Sequence, residues 1–215
     1  MPQVPAAPIP NAPHLAGRRR VLLRAAGAAS LLLLGGARAG AIAPAWPSPR
    51  ADFSPGPRRL WITRPQTQES LHLTYWADGR LLPEAYAAIN HLYRDVYANQ
   101  QCPVAPALLD LNFLMQARLY QTHRPRPLVL LSGYRTPTTN RRVGGVEPNI
   151  HGLGLADDYL YEGLSLLDNF RLARLYQVGG LGVYPQRGSL HKDLGRYRNW
   201  ITRGAAARSA LGSAP

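Results

Sequence analysis

Hydrophobic and polar positions along the chain mark out a folded middle. "RLWITRPQTQESLHLTYWADGRL" has two apolar-rich runs broken by polar turn residues, and reads as a hairpin ending at Asp78-Gly79. Pro83 then opens a helix, where its missing N–H costs nothing. Ala85, Ile89, Leu92, Tyr93 and Val96 continue it as an apolar stripe at helical spacing. Leu108, Leu109, Leu111, Leu114, Met115 and Leu119 predict a second helix over about 105–122, with His123 just past its end, placed to meet terminal carbonyls. "PLVLLSGYR" (127–135) is a short apolar strand stopped by Ser132-Gly133. "TPTTNRRVGGVEPN" follows as a loop running to His151. A strand is expected over about 155–161. A helix over 165–177 starts at Ser165 with an acid three residues on, a pattern like the capping box. "GGLGVYPQRGSLHKDLG" reads as two strands joined by a Pro-Gln-Arg-Gly turn. The fold class is therefore α+β, with a small, mainly antiparallel sheet and no internal repeat.

The N-terminus reads as an address rather than a fold element. "GRRRVLLRAAGAASLLLLGGARAG" runs from a basic segment through a short apolar one to small residues, the form of an export signal. The apolar run from Ala25 to Leu34 is shorter than the roughly 20 residues of a membrane span. "ARA" before Gly40 suits cleavage after Ala39, and Arg18-Arg19 resembles a twin-arginine signal. No cysteine follows the apolar run, which argues against a lipid anchor. Residues 1–39 are thus read as leader, 40–58 as a Pro/Ala-rich linker, 59–200 as the domain and 201–215 as a flexible tail. The mature protein is expected to have no membrane span and to reside in the periplasm or cell envelope.

Charge changes this picture little. The formal charge is +13, but the leader holds five of the 25 basic residues and no acid, leaving 20 basic against 12 acidic side chains, or +8. A basic surface suits anionic wall polymer, membrane or nucleic acid alike, but no nucleic-acid motif accompanies it and an export signal disfavours that partner. The single cysteine, Cys102, can make no internal disulfide and reads as structural.

Candidate chemistry lies in the second half. A catalytic zinc needs about three N or O ligands and one open position. "NIHGLGLADDYLYEG" (149–163) offers His151 with Asp157 or Asp158, and His191 lies further on with Asp193 two residues after it. Side chains alternate along a strand. Ala156, Asp158 and Leu160 therefore share one face and Leu155, Asp157 and Tyr159 the other, so only one aspartate can join a given metal. Ser189, His191 and Asp193 likewise share a face, with Lys192 turned away. His72, His91 and Cys102 have no motif context that would make them a fourth ligand.

"LLSGYRTPTTN", "HGLGLADD" and "GGLGVYPQRGSLHKDLGRYRNW" together resemble the zinc murein endopeptidases of the peptidase M15 superfamily, in the murein endopeptidase K-like (DUF882) branch. The likeness covers about 58–200. It implies the M15 (LAS-type) fold, with a central antiparallel sheet flanked by helices, and zinc-dependent hydrolysis of peptide cross-links in peptidoglycan. The superfamily pattern Ser-x-His-x-x-Gly-x-Ala-x-Asp falls on Asn149, His151, Gly154, Ala156 and Asp158, so the resemblance selects Asp158 over Asp157. His-x-Asp-x-Gly falls on His191, Asp193 and Gly195. The implied metal ligands are His151, Asp158 and His191. Arg135 is implied to bind substrate carboxylate or steady the oxyanion, with Tyr134 beside it in contact with substrate. Many relatives carry an acid, the general base, three residues before the last ligand. Gly188 stands there, so Asp193 is expected either as the substitute base or as the partner that orients a metal-bound imidazole. Asp157 is expected to be solvated or paired with Arg141 or Arg142. A D-Ala–diaminopimelate or a diaminopimelate–diaminopimelate bond would serve as substrate. A wall-binding protein that keeps the fold without catalysis is the rival class.

Overall fold

A computed structural model of the chain describes residues 56–122, 125–176 and 179–202. The leader, most of the linker, His123 and the tail beyond Thr202 lie outside these residues, and the expectations placed on them with it. The described residues fall within one compact unit, Pro44–Pro215. No described helix is long and apolar enough to cross a membrane.

The elements are β1 (Arg58–Arg64), β2 (Glu69–Ala77), β3 (Arg80–Leu81), α1 (Pro83–Leu92), α2 (Pro106–Thr122), β4 (Leu128–Ser132), α3 (Pro137–Arg142), β5 (Ala156–Tyr161), α4 (Leu166–Arg174), β6 (Gly180–Tyr184), β7 (Ser189–Asp193) and β8 (Arg198–Ile201). The eight strands form one sheet in the order β3-β2-β1-β4-β5-β7-β6-β8. Its pairs are antiparallel except β1 with β4 and β6 with β8. The α+β architecture with a mainly antiparallel central sheet is thus the observed one. The hairpin does not stand apart from it: β1 aligns beside β4 and extends the same sheet. α3 lies within the stretch read as loop. Thr136 caps it, its hydroxyl accepting from the Thr139 N–H at 3.2 Å, and Pro137 follows at the first helical position. β8 lies at the edge of the sheet, in a stretch where the sequence pattern predicts no strand.

The core is continuous. It joins Leu60 and Ile62 of β1, Ile89 and Leu92 of α1, Leu108 and Met115 of α2, Leu128 and Leu130 of β4, Leu172 of α4 and Leu190 of β7. α4 is capped as its sequence predicts: the Ser165 hydroxyl accepts from the Asp168 N–H at 3.1 Å and donates to the Asp168 carboxylate at 2.7 Å. Cys102 is half-buried, and burial raises its thiol pKa, the reverse of an activated nucleophile.

Asp157 departs from expectation. It is neither solvated nor paired with Arg141 or Arg142. It is fully buried on the core face of β5, and its carboxylate contacts the ammonium of Lys192, its direct cross-strand partner on β7. Asp157 also accepts from the Tyr93 hydroxyl and the Asn112 amide, each at 3.0 Å. The Lys192 ammonium sits 3.2 Å from the centroid of the Tyr159 ring. Burial pushes the Lys192 pKa down to about 8, against the opposing pull of Asp157. A buried pair of this kind is costly to break from one side, because the remaining charge has no water to return to. Asp157→Asn is therefore expected to lower unfolding free energy by about 3–5 kcal/mol, read as a lower urea midpoint, with Lys192→Met in the same background recovering part of the loss. An unchanged midpoint in Asp157→Asn would contradict the role.

Candidate metal centre

The register of β5 with β7 builds two-thirds of the site. Asp158 faces His191 directly across the pair, just as Asp157 faces Lys192. Alternation then turns Asp158 and His191 toward a cleft of about 960 Å³, and Asp157 and Lys192 toward the core. His151 comes from a different element, a single 3-10 turn over Ile150–Leu153. Asn149, at the family's serine position, caps this turn: its side-chain oxygen accepts from the Gly152 N–H at 3.0 Å. Gly154 ends the turn in the left-handed region, φ 67°. A Cβ there would lie 2.3 Å from the Pro103 carbonyl oxygen, so the turn could not pack against the residues before α2. The Gly154 carbonyl also accepts from the Ala105 N–H at 2.9 Å, which ties the turn to the start of α2.

The three ligand candidates meet. His151 Nε2 lies 3.1 Å from His191 Nδ1, which lies 3.0 Å from Asp158 Oδ1; His151 Nε2 to Asp158 Oδ1 is 3.5 Å. Hydrogen bonds behind the rings fix which nitrogens these are. His151 Nδ1 donates to the Gly133 carbonyl at 2.8 Å, and His191 Nε2 donates to Asp193 Oδ2 at 2.8 Å. In neutral imidazoles the opposite nitrogens are then bare lone pairs. With the imidazoles neutral and so held, two nitrogen lone pairs and a carboxylate oxygen converge, a donor set that suits a cation. Ligands about 2.0–2.1 Å from a tetrahedral zinc stand roughly 3.3 Å apart, and the three separations bracket that value. The residues fit a divalent metal. His72 and His91 lie elsewhere, His72 stacked on Trp61 and His91 beside Glu69.

Charged neighbours hold the candidate ligands. Arg135 donates from Nη2 to Asp158 Oδ2, and from Nε to the Ser132 hydroxyl at 2.8 Å. It is thus the partner of the Asp158 carboxylate, a contact the sequence does not signal. Burial and the nearby Arg187 charge bring its pKa down to about 10. Asp193 stands behind His191 with both oxygens committed. Oδ1 accepts from the Gly180 and Gly195 N–H groups at 3.0 and 2.7 Å, and Arg198 reaches both oxygens. Burial works to raise the Asp193 pKa, but the bonds from His191, Arg198 and the two amides outweigh it and hold it well below the usual carboxylate range. Tyr134 lines the cleft, its N–H donating to the Tyr93 carbonyl at 2.8 Å. Trp200 of β8 packs beside His191, ring centroids 5.5 Å apart, a neighbour no motif announces. Gly188 takes φ 61°, so the turn between β6 and β7 favours glycine there.

Sequence comparison agrees with this geometry. The Peptidase M15_2 family model, described as peptidoglycan L,D-endopeptidase MepK, matches residues 52–200. The chain belongs to this family. Peptidoglycan L,D-endopeptidase MepK of Escherichia coli K12 is 33% identical over 176 residues, covering 79% of this chain and 94% of the relative, and the Shigella flexneri protein of that name gives the same values. A probable peptidoglycan L,D-endopeptidase MepK of Haemophilus influenzae is 29% identical over 152 residues, covering 68% of this chain and 81% of its own length. No solved structure matches significantly.

If Asp193 fixes His191 in its metal-binding tautomer, Asp193→Asn weakens retention of added zinc by about 10- to 100-fold, measured by chelator competition on folded protein. Full zinc retention with lost turnover would instead mark a base. A second outcome concerns pH. Burial first, then the Arg135 and His191 charges, holds the His151 pKa well below its ordinary value. Below about pH 6.5 the unfolded chain takes up a proton at this position that the folded chain refuses, so stability falls with falling pH. Urea midpoints of chelator-treated protein should decline from pH 7 toward pH 5, and a rise would contradict the sign.

Proposed function

We propose that this protein is an exported, zinc-dependent murein endopeptidase that hydrolyses L,D peptide cross-links of peptidoglycan in the cell envelope. The observation that carries the proposal is the convergence of the His151, His191 and Asp158 lone pairs on the wall of an open cleft, in a chain of this family. Three protein ligands leave a coordination position for water, as catalytic zinc sites do. Bound there, zinc would act as a Lewis acid toward the scissile carbonyl and lower the pKa of water toward about 7.

The chain's own residues supply the rest. Gly133 and Asp193 hold the two imidazoles in the tautomers that present lone pairs to the cation. Arg135 takes one oxygen of Asp158, so the other is the ligand, and its fixed charge stands beside the place where the oxyanion grows. Of the two roles open to Asp193, its committed oxygens and lowered pKa favour orienting His191 over accepting a proton. Tyr134 is assigned to the substrate-contacting wall. The relatives' stereochemical label also bears on the bond. A D-Ala carbonyl belongs to a D-centre, whereas the carbonyl of a diaminopimelate–diaminopimelate link belongs to an L-centre. The second link is therefore the proposed substrate.

Digestion of purified cross-linked peptidoglycan, with mass analysis of the fragments, tests this reading. Loss of diaminopimelate–diaminopimelate cross-links is expected, abolished by chelator, restored by zinc, and absent in His151→Ala and His191→Ala. Cleavage that ignores the chelator, or wall binding without any cleavage, would overturn it. The latter outcome would point to a non-catalytic binding protein.

A further inference from the structure

Four arginines line the cleft, and three of them are committed. Arg64 donates to the carbonyls of Leu92 and Arg94. Arg135 is spent on Asp158 and Ser132, and Arg198 on Asp193 and the Arg196 carbonyl. Arg187 differs. It is exposed, has no carboxylate partner among the described residues, and lies with its guanidinium carbon 5.7 Å from the centroid of the Tyr184 ring. It lines the same cleft as Arg135, His151, Asp158 and His191, and its charge lowers the Arg135 pKa. The turn that carries it is short: one 3-10 turn, Pro185–Arg187, closed by Gly188 between the paired residues Tyr184 and Ser189. His191 lies two residues beyond Ser189 on the same face of β7, and Arg187 and His191 both line the cleft.

We propose that Arg187 is a specificity-determining residue that binds the free carboxylate of the D-centre on the amine side of the scissile bond. The inference rests on the proposed endopeptidase reading and deepens it. A cross-link made through the D-centre amine of diaminopimelate leaves that centre's own carboxylate one carbon from the scissile nitrogen. A substrate lying across the metal centre thus brings a negative charge close to the reacting atoms. Arg135, the residue expected to bind substrate carboxylate, already neutralises Asp158. Drawing it to the substrate would strip a ligand carboxylate of its partner. Arg187 can take the charge at no such cost, and a guanidinium matches a carboxylate with two parallel hydrogen bonds.

The test uses two soluble peptides with a diaminopimelate–diaminopimelate link, one with the D-centre carboxylate free and one with it amidated. The intact zinc-loaded protein is expected to prefer the free form. Arg187→Ala is expected to raise KM for the free form by about 10- to 100-fold, with kcat changed far less and KM for the amidated form nearly unmoved. Arg187→Lys should recover part of the preference. If Arg187→Ala keeps the wild-type preference while cleaving both peptides, this inference falls and the endopeptidase reading stands. If the wild-type protein cleaves neither peptide and leaves the wall cross-links intact, both fall together.

Discussion

Antiparallel pairing of β5 with β7 sets each residue of one strand against a fixed residue of the other, and that register carries both halves of the centre. Asp158 faces His191 on the cleft side, and one step along Asp157 faces Lys192 on the core side. A slip of one residue would send every side chain to the opposite face. The ligand pair would then point into the helix layer and a buried ion pair into the cleft. The Asp157–Lys192 contact, with Tyr93 and Asn112 around it, therefore acts as a register lock beneath the proposed metal ligands.

Every carboxylate at the centre has its own cation. Asp157 has Lys192, Asp158 has Arg135 and Asp193 has Arg198. In a setting this buried an unpaired carboxylate would protonate or move. The pairing gives each carboxylate a cation of its own and a different set of neighbours. Asp157 pairs across the strands on the core side, Asp158 faces the cleft as a proposed ligand, and Asp193 accepts from the His191 ring. Asp193 and His191 then form a carboxylate–imidazole pair on the side of the ring away from the proposed ligand cluster, the arrangement by which an acid sets a ring's tautomer.

The loop side of the site is held by backbone rather than by charge. The Gly133 carbonyl fixes the His151 ring, and the segment that bears Gly133 and Arg135 is pinned by Tyr134 to the Tyr93 carbonyl. Asp95 extends the hold by accepting from both the N–H and the hydroxyl of Thr136, each at 2.9 Å. The residues after α1 thereby set the position of a side chain on the turn before β5. Such coupling is how a site built partly on loops gains the precision of its strands.

Much of this is legible in the sequence. Periodicity marks α1, α2, α4 and the later strands, because burying one face of a helix or strand imposes a repeat on the residues themselves. Alternation shows that Asp157 and Asp158 must part, and the family motif names Asp158, His151 and His191 as the set that the fold brings together. Asp157 reads locally as a surface acid, although its burial follows from the same register: if 158 meets 191, then 157 must meet 192. What only the tertiary structure decided were contacts between segments far apart in the chain: β1 beside β4, Trp200 beside His191, Arg135 on Asp158, and the commitment of Asp193 behind the imidazole. A local pattern records which face a residue takes, since that depends on its neighbours in sequence. It does not record what stands opposite, because the partner's distance and angle are set by how the whole sheet pairs and packs.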